Sequence, residues 1–184
     1  MKLQTIEKIS GTIILQSGLR IGGSGNGMRI GGVDAPIIRN PSNDRPYIPG
    51  SSLKGKIRCL LEQLSGLSDG KPLTNTDVKK AKTPNEQKIG QAIVKIFGQS
   101  AGDEDGEPTR VSFFDCDFNK KWLDDVLEQN KSITEEKTEV AIDRRTGAAA
   151  KSGPRQMERV VAGAEFDFTV TLKVFDKDAN DNLV

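Results

Sequence analysis

Alternating apolar and polar residues predict strands at both ends of the chain. The first alternating run contains Ile9, Gly11, Ile13 and Leu15, is typical of a half-buried strand, and ends at Gly18. The clearest run comes last and places Phe166, Phe168, Val170, Leu172 and Val174 on one face and Glu165, Asp167, Thr169, Thr171 and Lys173 on the other. We expect this last strand to have one buried face and one wet face.

A third alternating stretch lies in the middle of the chain. Phe114, Cys116 and Phe118 alternate with Asp115 and Asp117. A D-x-D pair could bind a metal, but this alternation places both aspartates on the outer face of a strand. We therefore interpret them as a solvated face.

Apolar residues at helical spacing predict two helices, and a short third helix is also expected. The first has Ser51 or Ser52 as its N-cap, ends at Ser65-Gly66, and carries on one face Leu53, Ile57, Leu60, Leu61 and Leu64. A second helix is expected over about 86–97 with Gly98 as its C-cap, and a short one over 120–128.

Strands, then helices, then further strands indicate an α+β fold with one sheet face covered, and a ferredoxin-like core with insertions fits this order best. Residues 66–86 are polar and rich in breakers, which predicts a surface insertion, either ordered or disordered. Residues 140–161 are basic and rich in small side chains, and form an exposed arm. At 184 residues, a single domain spanning 1–184 is expected.

Composition narrows the possible functions. The chain is 35% apolar and 29% charged, and no apolar run approaches the roughly 18 residues of a membrane span. With no secretion signal at the start, we expect a cytoplasmic protein without a membrane partner. The absence of histidine excludes Ser-His-Asp and histidine-based ribonuclease chemistry, and two cysteines cannot form a zinc site. Catalysis must therefore use carboxylates, lysines or a carboxylate-bound metal.

Charge is unevenly distributed although the net charge is only +1. Residues 19–58 contain seven bases and two acids, whereas residues 101–128 contain nine acids and three bases. This asymmetry permits a basic face for phosphates.

The start of the first predicted helix is a candidate phosphate site. Residues 50–56 fit the first positions of a P-loop, but Ile57 stands where a hydroxyl should reach Mg²⁺, which argues against an ATPase. Free N–H groups at the helix start, two serines, and Lys54 one turn from Arg58 suit a nucleic-acid backbone. The plainer interpretation is a capped amphipathic helix, and a phosphate site would add to it.

A glycine-rich loop precedes this helix, with seven glycines between positions 18 and 32. Arg20, Arg29 and Arg39 favour a phosphate track over a plain solvent loop. Asp34 follows this loop. It is either a turn aspartate that caps local backbone, or a carboxylate that holds Mg²⁺ or positions an attacking hydroxyl at a phosphodiester. The basic arm is likewise either a surface hairpin or a nucleic-acid contact.

Several linked segments resemble one known family, the RAMP superfamily, and within it the target-RNA-cleaving backbone subunit of type III-A (Csm) CRISPR effector complexes. These segments are SGLRIGG at 17–23, GGVDAPIIRNP at 31–41, YIPGSSLKGKIR at 47–58, IFG at 96–98, RVSF at 110–113, IDR at 142–144 and PRQMERV at 154–160. They follow the family's order over most of the chain.

The resemblance implies a ferredoxin-like (RRM-like) palm, with the arm at 140–161 as a thumb-like hairpin. It also implies stacking of several copies of the chain in a filament, together with other subunits, along a CRISPR RNA. Asp34 would cleave bound target RNA with a divalent metal, Mg²⁺ or Mn²⁺, which it would also ligate. The residues expected to contact RNA are Arg20, Gly22, Gly23, Ser51, Ser52, Lys54, Lys56, Arg58, Arg144, Arg155 and Arg159.

Two departures from the family and two alternatives accompany this interpretation. Family members often have histidine at the position of Arg20, and the family's C-terminal glycine-rich segment is missing here. One alternative is a structural RNA-binding subunit in which Asp34 is inert. The other, a guide-processing ribonuclease, is disfavoured by the lack of histidine.

Overall fold

The structure, a computed structural model, describes residues 1–23, 35–99, 107–176 and 178. The described part has an α+β architecture, as predicted. Its elements in chain order are β1 (Leu3–Ile14), α1 (Gly50–Ser65), α2 (Asn75–Lys79), α3 (Pro84–Phe97), β2 (Val111–Phe113), α4 (Lys120–Glu128), β3 (Thr134–Ile142), β4 (Ala149–Val160) and β5 (Glu165–Phe175). Among these residues, no helix has the length and apolar character needed to cross a membrane.

The strands form two sheets. One has the order β1-β5-β2, in which β2 runs antiparallel to β5 with Val111 opposite Leu172 and Phe113 opposite Val170. The other is the antiparallel pair β3-β4, which with its turn forms a hairpin over residues 134–160. The predicted arm at 140–161 is thus mainly the turn and second strand of a longer hairpin.

The chain divides into two compact units. The first comprises residues 1–11, 49–115 and 169–184, and the second comprises residues 12–48 and 116–168. The first unit therefore contains α1, α2, α3 and β2, and the second contains α4 and the hairpin.

The core of the first unit lies between its helices and β2. Its buried residues are Leu73, Val78, Ile93, Val94, Phe97 and Val111. Leu73 and Val78 fall in the stretch 66–86, so this predicted surface insertion is ordered there and contributes to the core. Within this polar stretch two apolar side chains are buried: Val78 on the short helix α2, and Leu73 in the segment just before that helix.

Side-chain caps explain why α2 and α3 form within that polar stretch. Thr74 and Thr83 each accept a hydrogen bond from the third residue of the following helix, Asp77 and Glu86, whose carboxylates bond back to complete two capping boxes. Pro84 occupies the first turn of α3, where a missing N–H costs nothing. The Thr83-Pro84 pair is therefore a helix start.

The second unit has an aromatic core. The Phe118 ring stacks on Phe166 with centroids 4.4 Å apart and on Trp122 at 5.3 Å. Cys116 and Phe166 are fully buried. Helix α4 has the bounds that the sequence predicts, and Asn119 caps it by accepting a hydrogen bond from the Trp122 N–H.

Three predictions of burial are wrong. Ile9 is 58% exposed because β1 lies at the edge of its sheet. On α1, Leu60, Leu61 and Leu64 are exposed, since this helix turns Glu62 and Ser65 inward instead. Phe114 is also exposed, because β2 ends at Phe113.

One further prediction, of exposure, is confirmed, and the prediction for β5 holds only at some of its positions. Asp115 and Asp117 are both exposed, as a solvated face requires. In β5, Phe166 and Val174 are buried and Asp167 is exposed; the rest of this central strand is half-buried on both faces.

Candidate nucleic-acid interface

In the second unit, hydrogen bonds join the segment before Asp34 to the segment after it. Asp34 itself lies outside the described residues, as does Arg29. The Gly23 N–H donates to the Pro36 carbonyl at 3.2 Å, and the Ile38 N–H donates to the Ile21 carbonyl at 2.8 Å. These bonds bring the predicted Gly22-Gly23 pair beside the segment that follows Asp34.

Close packing explains why glycine stands at Gly23. A Cβ atom there would lie 3.1 Å from the Ile37 carbonyl oxygen, so a side chain would push the two backbones apart. Arg20, in the same segment, is exposed and has no hydrogen-bond or ion-pair partner among the described residues. Its side chain is thus free for a ligand.

The base of the hairpin pairs with this segment through Leu19 and Val160. Each of the two residues donates its N–H to the other's carbonyl, at 3.0 and 2.8 Å. The Arg159 side chain packs over Gly18, where a Cβ atom would lie only 2.5 Å from Arg159 Cδ. The predicted residues Arg20, Gly22, Gly23 and Arg159 are therefore neighbours at one end of the hairpin.

The predicted arginines of the hairpin differ in their partners. Arg159 Nε donates to the Glu135 carboxylate at 2.7 Å across the hairpin, so its charge is already neutralised. Arg155 stands opposite Glu139, but that carboxylate bonds to Lys137 at 2.7 Å. Arg155 is exposed and, in the part of the chain that the structure describes, makes no ion pair.

The hairpin turn carries further exposed bases. Arg144 and Arg145 lie in the turn between β3 and β4, and Lys151 is the third residue of the return strand β4. All three are exposed and lack an ion-pair partner within the described residues. Beside them, Val140 and Ile142 are 44% and 59% exposed, which gives the tip an apolar and cationic surface.

The start of α1 differs from the prediction. The helix begins at Gly50 with Pro49 at the N-cap and without a side-chain cap, so neither Ser51 nor Ser52 is the N-cap. Instead, the Gly50 N–H donates to Asp115 Oδ1 at 2.8 Å. This carboxylate, from just beyond β2, fills the position that a capping serine would take, and both serines are left exposed.

A cationic cavity of about 370 Å³ lies beside this helix start, within the first unit. It is lined by Gly50, Ser51, Lys54, Thr109, Val111, Ser112, Phe113 and Lys173. Burial, and next the positive charge of Arg58, lower the pKa of the Lys54 ammonium. The sequence prediction missed Lys173, which the β5 alternation did place on the polar face.

The other two predicted bases of α1 lie elsewhere. Lys56 is exposed. Arg58 is internal: its guanidinium donates to the Glu62 carboxylate at 2.7 Å, to the Gly98 carbonyl at 2.9 Å and to the Leu73 carbonyl at 3.0 Å. We therefore leave Arg58 out of the candidate RNA surface.

Comparison with known proteins identifies the family. The sequence model of the RAMP superfamily matches residues 12–184, which is nearly the whole chain. The chain belongs to the RAMP superfamily. The linked motifs on which the sequence prediction rests therefore point to the correct family.

Curated relatives of this RAMP protein share more than a third of its residues. Relatives named "CRISPR system Cms endoribonuclease Csm3" are 36% identical over 91% of this chain in Enterococcus italicus, 39% over 96% in Methanocaldococcus jannaschii and 39% over 91% in Mycobacterium tuberculosis. The chain spans 71%, 66% and 64% of the lengths of these three relatives.

Solved structures confirm the RAMP fold. A chain of the type III-B Cmr-beta complex in its apo state superposes with a TM-score of 0.61 at 14% identity, over 94% of this chain and 86% of that one. A chain of Cmr-beta bound to cognate target RNA gives the same TM-score at 13% identity, over 98% and 88%. The ferredoxin-like palm expected from the sequence is consistent with these neighbours.

Candidate metal ligands are not clustered in the described part of this RAMP chain. No group of three or more Cys, Asp or Glu side chains there could hold a metal ion. The described residues thus do not form a metal site of their own.

Proposed function

We propose that this chain is an RNA-binding backbone subunit of a type III CRISPR effector complex, and that it cleaves bound target RNA as an endoribonuclease. The names of the relatives and the type III complexes among the fold neighbours support this proposal. Several copies would stack along the CRISPR RNA, beside other subunits, in the prokaryotic cytoplasm.

One observation carries the proposal. Hydrogen bonds join the segments flanking Asp34 to the end of the hairpin where its two strands start and finish. The outer arginine and lysine side chains of this hairpin are exposed and have no ion-pair partner within the described residues. Exposed arginines and lysines on a hairpin suit the phosphate backbone of RNA, and backbone contacts fix its position without reading its sequence. Guide–target pairing would supply the sequence specificity.

The cleavage chemistry must operate without histidine. The Asp34 carboxylate would accept the proton of a ribose 2′-hydroxyl, whose oxygen attacks the adjacent phosphorus. A bond forms between phosphorus and O2′, and the bond to O5′ breaks. The O5′ takes a proton from water, leaving a cyclic phosphate on one fragment and a 5′-hydroxyl on the other.

A divalent cation, Mg²⁺ or Mn²⁺, belongs to this proposal as the group that stabilises the charge developing on the phosphate. In this proposal Asp34 and oxygens of the RNA itself would hold the cation. Chelation by EDTA should then stop cleavage while guide and target stay bound, and added Mg²⁺ should restore it. Undiminished cleavage in EDTA would contradict the metal requirement.

Asp34→Asn tests the catalytic role. The variant would be assembled into the guide-loaded complex, mixed with labelled complementary RNA and Mg²⁺, and compared with wild type. Asp44→Asn is the matched control, because it makes the same change of shape and charge ten positions further along. We expect regularly spaced products from wild type and the control, and none from Asp34→Asn, with equal target binding in all three.

The alternative is a structural subunit whose hairpin binds RNA while Asp34 is inert. The exposed hairpin bases support RNA binding in either case. Regularly spaced products from Asp34→Asn at the wild-type rate would favour this alternative and would place the active site on another residue.

A further inference from the structure

Residues 35–39, the segment that begins directly after Asp34, lie along strand β4 of the hairpin. Ala35 pairs with Met157 in a parallel bridge, and the Glu158 N–H donates to the Ala35 carbonyl at 3.2 Å. Ala35, the residue directly after Asp34, is therefore attached to the hairpin through its backbone.

The Glu158 carboxylate makes a second attachment with both of its oxygens. Oε2 accepts the Ile37 N–H at 3.2 Å, and Oε1 forms an ion pair with the Arg39 guanidinium. Arg39 also donates to the Asp44 carbonyl at 2.8 Å. The Glu158 side chain is only 13% exposed, so water competes weakly for these bonds.

The same backbone segment is pinned from its other side by Ile21 and Gly23, through the hydrogen bonds to Ile38 and Pro36. Residues 35–39 are thus held between the chain that precedes the glycine-rich loop and strand β4. A carboxylate that bonds a backbone N–H and an arginine together fixes both position and direction of the segment. Exposed Glu136, directly opposite Glu158 across the hairpin, makes no such bonds among the described residues.

We propose that Glu158 is a positioning residue for RNA cleavage. It fixes the backbone from which Asp34 extends relative to the hairpin, and it acts through Ile37 and Arg39 without touching RNA. This inference rests on the proposed catalytic role of Asp34. It also changes the interpretation of Arg39, from a phosphate contact to the partner of Glu158.

The expected effect is on the rate of cleavage. In Glu158→Gln the amide oxygen can still accept one hydrogen bond, but the ion pair with Arg39 is lost. A displacement of about 1 Å at a reacting group can cost about 100-fold in rate. We expect Glu158→Gln to cleave about 10- to 100-fold more slowly than wild type, with unchanged target binding.

The experiment measures single-turnover cleavage and target affinity in the assembled, guide-loaded complex. It compares wild type, Glu158→Gln, Arg39→Gln and the double variant with the control Glu136→Gln, which makes the same charge change across the strand pair. Glu136→Gln should behave as wild type. The double variant should be no slower than either single variant, because both remove one interaction.

A second readout does not depend on activity. Backbone hydrogen exchange over residues 35–39 should become faster in Glu158→Gln and stay unchanged in Glu136→Gln, because the segment loses its ion pair and one neutral amide oxygen replaces the carboxylate as acceptor. Hydrogen exchange therefore reports directly on the attachment of residues 35–39 to the hairpin.

The outcomes separate this inference from the proposed function. If Asp34→Asn is inactive while Glu158→Gln cleaves as fast as Glu136→Gln, the positioning role is overturned and the proposed function stands. If Asp34→Asn cleaves as wild type, the proposed function fails. Weakened target binding or an unfolded hairpin in Glu158→Gln would also overturn the positioning role.

Discussion

Two arginines of the first unit and two on the outer part of the hairpin have opposite surroundings. In the first unit, the Arg110 side chain is 1% exposed and pairs with Asp178 and Glu107, and Arg58 pairs with Glu62. On the hairpin of the second unit, Arg144 and Arg155 are exposed and have no ion-pair partner among the described residues. The same residue type thus stabilises the fold in one place and is available to a ligand in the other.

Burial is what separates these roles. A buried arginine must be paired, since an unpaired buried charge is costly. An exposed arginine needs no ion-pair partner, because water solvates its charge, and it attracts phosphate groups. Substitutions in the two groups should therefore affect different quantities: the free energy of unfolding for the first group and RNA affinity for the second.

The largest effect on stability is expected for Arg110→Met. The Arg110 guanidinium contacts Asp178 at 3.2 Å and lies 4.3 Å above the Phe175 ring. Removing it leaves the buried Asp178 with Lys95 as its remaining cation. We expect the free energy of unfolding to fall by about 3–5 kcal/mol, measured by urea denaturation. A loss no greater than that of Arg144→Met would remove the distinction between the two groups.

Arg58→Met should have the next largest effect. It removes three hydrogen bonds and leaves Glu62, 6% exposed, with the Leu73 N–H at 3.0 Å. We expect a loss of about 2–3 kcal/mol in the free energy of unfolding, because Arg58 is less deeply buried than Arg110. The sequence interpretation makes the opposite prediction: unchanged stability with weakened RNA binding would restore Arg58 to the RNA surface.

Acid should weaken the Arg110 network through Asp178. Burial raises the pKa of Asp178, but the Phe175 N–H and the cations Lys95 and Arg110 outweigh this effect and lower its pKa overall. Because the folded-state pKa lies below the unfolded value of about 3.9, the stabilisation is present above that pH and is lost as pH falls through the folded-state pKa. Asp178→Asn should flatten the dependence of stability on pH in this acidic range.

The exposed Asp124→Asn is the control for this measurement, and it should keep the wild-type dependence. An equally steep dependence in Asp178→Asn would mean that other carboxylates cause the acid sensitivity.

The smallest effect on stability is expected on the hairpin. Arg155→Gln and Arg144→Gln remove exposed side chains, and surface substitutions of this kind change the free energy of unfolding by no more than about 0.5 kcal/mol. Thermal melts of these variants should overlay that of wild type. A melting temperature clearly below wild type would show that these arginines stabilise the fold.

The sequence predicted the fold class, the last strand, α4 and the C-cap at Gly98 because local patterns control them. It could not predict the role of Arg58, because the partners Leu73 and Gly98 come from distant positions that only the packed helices bring together. The cap of α1 was missed for the same reason, since Asp115 lies 65 positions from Gly50.

The sequence likewise predicted only part of the candidate site. Linked motifs singled out Asp34, Arg144 and Arg155, which are exposed positions or lie outside the described residues. Nothing in the spacing of Glu158 indicated its bonds to Ile37 and Arg39, 121 and 119 positions away. Such contacts arise from strand pairing that a single sequence does not reveal.

The salt dependence of RNA binding tests most directly whether the exposed arginine and lysine side chains of the hairpin bind RNA. A variant with Arg144, Lys151 and Arg155 changed to Gln would be compared with one in which Lys79, Lys82 and Lys88, also exposed but in the first unit, are changed to Gln. Each lost phosphate contact should reduce the slope of log affinity against log salt by about 0.7 for single-stranded RNA. We predict weaker binding and a slope smaller by about 2 for the hairpin variant, with wild-type binding for the control. Equal affinity and slope in the two variants would contradict the account.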